Sequence, residues 1–82
     1  MTKNEFADMI EHGDDIIFQV NGKKLAIFTW MDEGIAIVEQ GTDKKPEFFP
    51  TADNLIAEYK IGNTSLAALV DHVKVSDYTR VS

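Results

Sequence analysis

The side chains best suited to acid–base or metal chemistry in this 82-residue sequence are two histidines and fourteen carboxylates. The densest grouping is His12-Gly13-Asp14-Asp15, which carries the donor types of a metal site or of a general acid–base pair. The same four residues also make a helix end with a glycine in the left-handed conformation followed by a solvated turn, and that reading is preferred. His72 stands beside Asp71, but neighbours along a helix point in different directions, so it reads as a surface residue. Asp32 and Glu33 lie in a turn without the series of oxygen ligands that a calcium loop needs. Phosphate-cradling glycine patterns and nucleophile elbows are absent, and Gly62-Asn63-Thr64-Ser65 is too short a match to count. With no cysteine in the chain, thiolate metal sites and disulfides are excluded. No catalytic residue, metal site or cofactor is therefore expected, and an enzyme is not.

The elements around these residues are more legible than any chemistry. Thr2 and Glu5 stand at capping-box spacing, which predicts a helix from Lys3 with Phe6, Met9 and Ile10 on one face and Gly13 ending it. Asn21-Gly22 joins two strand-like runs, 15–20 and 23–30, as a type I′ hairpin. Pairing Val20 with Lys23 gathers Ile16, Phe18, Val20, Leu25 and Ile27 on one face, which must be core. A turn over 31–34 leads into a third strand, 35–40. With Trp30 opposite Ile35, the second face would carry Ile17, Ala26, Phe28, Trp30, Ile35 and Ile37.

Residues 41–50 read as a loop from their glycine, lysines and prolines, with Phe48 and Phe49 able to fold back on the sheet. Thr51 can cap a helix through about Glu58, stopped by Ile61-Gly62-Asn63. Thr64 or Ser65 can cap another, in which Leu66, Leu69, Val70 and Val73 follow an unbroken helical stripe. Residues 74–82 suit either a short fourth strand or a frayed end. The fold class expected is thus α+β over residues 1–82 as one domain: an N-terminal helix, a three-stranded antiparallel meander, two short helices and a C-terminal segment of strand-like alternation.

Apolar residues make up 44% of the chain, enough for a packed core. No secretory signal pattern and no apolar run of membrane-spanning length appears, so a soluble, cytoplasmic protein is expected. A formal charge of -6 disfavours direct binding to nucleic acid or to anionic lipid.

The run Thr2 to Trp30, with its acidic opening helix and Asp-Ile-Ile-Phe-Gln-Val-Asn-Gly-Lys-Lys-Leu hairpin, resembles short uncharacterised proteins of Gram-positive bacteria and their phages. Lys60-Ile61-Gly62-Asn63 is similar to the Lys-Ile-Gly or Lys-Ile-Asp-Gly that follows their Leu-rich helix. The resemblance implies a compact αβββα-type domain carried on mobile elements. It brings no activity and no functional residue.

Two functional expectations follow. In the first, the chain is a small acidic protein-binding module, an inhibitor of the anti-defence or DNA-mimic type. Glu5, Asp8, Glu11, Asp14 and Asp15 would occupy phosphate positions on a nucleic-acid-binding host protein, with salt-sensitive affinity. In the second, the chain self-associates through an apolar sheet face of Ile17, Phe28, Trp30, Ile35 and Ile37, since contiguous exposed apolar patches are uncommon on monomers.

Overall fold

The computed structural model describes residues 1–29, 32 and 34–80, with Asp14, Thr79 and Arg80 described by backbone alone. Trp30, a member of the expected apolar face, and Met31 and Glu33 of the turn lie outside the described residues, as does Val81 of the tail.

Helix α1 spans Lys3–His12. Its N-terminus closes as the spacing predicts: Glu5 N–H donates to Thr2 Oγ1 at 3.1 Å, and Thr2 N–H donates to Glu5 Oε1 at 3.0 Å. Phe6, Ala7 and Ile10 are buried, and Met9 is partly so. Gly13 departs from expectation. Its backbone is extended (φ -109°, ψ 157°), and it is the first residue of β1 (Gly13–Val20) rather than a left-handed cap. The chain passes from helix to strand without a turn, and the Thr29 hydroxyl donates to the Gly13 carbonyl that a turn would otherwise have satisfied.

Strand β2 (Lys23–Phe28) pairs with β1 in the expected register, Val20 with Lys23 through Ile16 with Ile27. Asn21 (φ 52°) and Gly22 (φ 77°) both take the positive φ that a type I′ turn requires. Strand β3 (Ile35–Glu39) pairs with β2, but one residue away from the expected register: Phe28 faces Ala36, and Ile27 faces Ile37. Because side chains alternate, that single step moves Ile35 and Ile37 off the Phe28 face and onto the core face. Ile37 is fully buried and Ile35 packs against the core. Gly34 stands at the start of the shifted strand. It enters β3 at φ +124°, and a Cβ there would stand 2.8 Å from the Phe49 carbonyl oxygen, so only glycine admits this approach.

The carbonyl belongs to β4 (Glu47–Phe49), an edge strand where a loop was expected, which pairs Ile35 with Phe49 and Ala36 with Phe48. Three residues between Pro46 and Pro50 are too few to show strand periodicity. Helix α2 (Ala52–Glu58) follows, capped by Thr51. A two-residue-per-strand hairpin, β5 (Lys60–Ile61) and β6 (Thr64–Ser65), turns at Gly62 (φ 65°). Ser65 then caps α3 (Leu66–Leu69), which continues as a 3-10 turn through His72.

The tail is a strand. β7 (Lys74–Arg80) adds antiparallel to β1, giving a five-stranded sheet in the order β4-β3-β2-β1-β7. Its register slips twice, between Gly13 and Asp15 and between Ile17 and Phe18, and such bulges blunt an exposed edge. The Tyr78 hydroxyl donates to the Met9 carbonyl at 3.1 Å, tying this edge to α1.

All three helices lie on one side of the sheet. Phe6 and Ile10 of α1, Leu55 and Ile56 of α2, and Leu66 and Leu69 of α3 join Ile16, Phe18, Leu25, Ile27 and Ile37 in one cluster. Phe6 meets Phe18 edge to face, with ring centroids 5.3 Å apart. No polar side chain is buried among the described residues.

Candidate functional site

The sheet's other face is built from residues between the core-facing ones, and the pairings arrange it in three cross-strand rows. The first row is Phe48, Ala36, Phe28 and Asp15; the second is Val38, Ala26, Ile17 and Asp77. The third is Lys24, Gln19 and Lys74. Ala26 and Ala36 are fully buried between larger neighbours, whereas Ile17, Phe28 and Val38 are half-buried. Phe48 is 41% exposed and is the exposed large hydrophobic among the described residues.

Of the expected apolar face, the structure thus brings Ile17 and Phe28 together, sends Ile35 and Ile37 to the core, and adds Val38 and Phe48. Phe48 was missed as a face residue because β4 was. Val38 was missed because the register was displaced by one. Of the two phenylalanines able to fold back on the sheet, Phe49 packs on the core side, edge to face with Tyr59 at 6.5 Å, and Phe48 joins the outer face; β7 widens the sheet.

The acidic residues do not form one surface. Glu5, Asp8 and Glu11 are exposed on α1, on the helix side, while Asp15 belongs to the opposite face of the sheet. Asp14 lies where the β1–β7 ladder slips, and only its backbone is described. Hydrogen bonds from the Thr2 backbone and hydroxyl region hold the Glu5 carboxyl below its usual pKa of 4.5. Asp8 is engaged by His12, whose Nδ1 lies 3.1 Å from Oδ1 and 2.9 Å from the Asp8 carbonyl, an exposed contact within one helical turn. His12 and Asp8 therefore act locally at the end of α1. His72 is exposed on the 3-10 turn.

On the core side, Glu39 accepts a hydrogen bond from Lys23 at 3.4 Å and forms an ion pair with Lys44 at 3.6 Å, pinning the β3–β4 connection across the sheet's end. Burial, with Glu47 and Glu39 nearby, pushes the Tyr59 hydroxyl above its usual pKa of 10. A cleft of about 460 Å³ opens between the end of α1, the start of β1 and the N-terminus of α2, lined by residues including Ile10, Glu11, Ile35 and Thr51. Glu11 is the one titratable side chain among its described lining residues, which therefore assemble no acid–base pair of their own. No group of three or more potential metal-ligating side chains occurs among the described residues. No helix among them is long and apolar enough to cross a membrane.

The chain matches no family model, no curated protein and no solved structure.

Proposed function

We propose that this chain is a non-catalytic protein-binding module that engages its partner through the outer face of the five-stranded sheet. The observation that carries the reading is Phe48, an exposed aromatic side chain in the same cross-strand row as the half-buried Phe28, with Val38 and Ile17 in the next row. Aromatic anchors set among aliphatic neighbours are the usual source of binding energy at interfaces. The alternative, carboxylates mimicking phosphates on a nucleic-acid-binding host protein, needs its acids on one surface. Glu5, Asp8 and Glu11 lie on α1, on the helix side, and Asp15 on the other face of the sheet, which favours the sheet face over the mimic.

Site-specific photo-crosslinking in cells tests the choice. A photoreactive residue in place of Phe48 should give a discrete cross-linked product, and one in place of Asp8 on α1 should not. A product from position 8 with none from position 48 would overturn the reading and return the mimic.

A further inference from the structure

The β1–β2 turn holds a chemistry that partner binding does not use. The chain has four asparagines, Asn4, Asn21, Asn54 and Asn63, and asparagine is among the thermolabile residues because its carboxamide carbon lies within reach of the next residue's backbone nitrogen. The structure ties up that nitrogen at three of the four. Glu5 N–H, after Asn4, donates to Thr2 Oγ1 at 3.1 Å. Leu55 N–H, after Asn54, donates to the Thr51 carbonyl at 3.1 Å. Thr64, after Asn63, pairs with Ile61 at the end of the β5–β6 turn, the position whose N–H bonds back across a two-residue loop.

Asn21 differs on each count. Gly22 stands between the strands, and its N–H donates to no backbone acceptor among the described residues. It has no Cβ to shield the nitrogen, and a Cβ placed there would meet nothing within 4 Å. Asn21 and Gly22 are both exposed, so water has access to the whole turn. We propose that Asn21 is a self-modification site, deamidated through a cyclic imide closed by the Gly22 nitrogen, and that this chemistry loosens the β1–β2 hairpin as the protein ages.

The step needs only water. Hydroxide takes the Gly22 N–H proton, and the nitrogen's electron pair attacks Asn21 Cγ. The new C–N bond forms as the bond from Cγ to the carboxamide nitrogen breaks, and that nitrogen leaves as ammonia with a proton from water. A water molecule then opens the ring at one of its two carbonyls. Opening at Cγ restores the main chain and leaves aspartate. Opening at the backbone carbonyl breaks its bond to the Gly22 nitrogen, so the main chain runs on through Cγ as isoaspartate.

The two products act differently on the fold. Aspartate suits a type I′ turn as asparagine does, and it adds a negative charge to the formal -6. Isoaspartate adds a methylene to the main chain inside a two-residue turn, and the length of that turn fixes the pairing of Val20 with Lys23 and the register that follows from it.

Peptide mapping by mass spectrometry tests the site, with the purified chain aged in native buffer at mildly alkaline pH and a parallel sample aged in denaturant. The folded chain should convert at Asn21 while Asn4, Asn54 and Asn63 keep their amides, and the rate should rise with pH because the nitrogen must lose its proton. The isoaspartate fraction should exchange the Val20 and Lys23 amides faster than fresh protein, and Asn21→Asp should exchange them at the fresh rate. An Asn21 that converts only in denaturant would show the turn to be protective and overturn the proposal. So would folded protein in which Asn4 or Asn54 converts as fast as Asn21, or an isoaspartate fraction whose hairpin exchanges like that of fresh protein.

Discussion

Ile37 and Val38 are adjacent, similar in size and equally strand-like, yet the structure assigns them to opposite sides of the sheet. Ile37 is fully buried between Ile27 and the helix layer, and Val38 is half-buried on the outer face beside Ala26. Truncating Ile37 to alanine removes its packing and leaves a cavity, a loss of about 2–5 kcal/mol. Truncating Val38 removes two methyl groups that are only partly sheltered, about 0.5–1 kcal/mol. In a domain of this size each kcal/mol moves the melting temperature by about 4–8 °C, so Ile37→Ala should lower it by roughly 10–30 °C and Val38→Ala by only a few degrees. Both are best measured by calorimetry or circular dichroism at one low micromolar concentration, so that any self-association enters equally. If Trp30 faced Ile35, the ordering would reverse. Equal losses, or a larger loss for Val38→Ala, would refute the register from which the outer face is built.

Gly34→Ala should destabilise the domain by about 1–3 kcal/mol through strain at φ +124° and the 2.8 Å approach to the Phe49 carbonyl, a larger loss than Gly41→Ala, whose Cβ would meet open space; chemical denaturation compares the two. Thr2→Ala should cost about 1 kcal/mol by removing the cap of α1. The Glu5 carboxyl is held below 4.5 when folded, so its contribution is present above that pH and is lost as the pH falls through the lowered folded value; Glu5→Gln should flatten that part of the acid limb, read as melting temperature against pH. Tyr59 has the opposite sense: its raised folded pKa contributes stability below pH 10 that is lost as the pH rises through the higher folded value, so Tyr59→Phe should flatten the alkaline limb. Tyr78→Phe should cost about 0.5–1.5 kcal/mol by removing the hydrogen bond to Met9 and should speed amide exchange in β7.

What was readable in the residues was whatever is decided locally. The capping box at Thr2 and Glu5, the Asn21-Gly22 turn, and the Thr51 and Ser65 caps all depend on side chains within three positions of the backbone they satisfy, and each formed where its spacing placed it. The core face of β1 and β2 followed because the two-residue turn leaves one register. The misread features are long-range. The β3 edge brings Gly34 close to the backbone of Phe49, fifteen positions away, and no local pattern records that proximity. β4 is a strand only because β3 offers it an edge, and β7 only because the helices carry the chain back across the sheet to β1. Gly13 passed for a helix cap because its extended backbone belongs to β1, whose pairing partner there, Arg80, lies far along the chain.

The candidate site inherited both kinds of outcome. Ile17 and Phe28 were identifiable from the hairpin, while Ile35 and Ile37 were carried to the wrong face by one residue of register, which also hid Val38; Phe48 was hidden with β4. The acids were identifiable as residues but not as a surface, since their division between helix layer and sheet is a property of the fold.

The most direct measurement is methyl NMR of the folded chain with a soluble paramagnetic agent. The outer face predicts that the Val38 methyl signals broaden together with those of the exposed Ala57 and Ala68, while the Ile27 and Ile37 methyls are protected. Val38 methyls as protected as those of Ile37, or Ile37 methyls that broaden with Ala57, would contradict the face on which the binding reading rests.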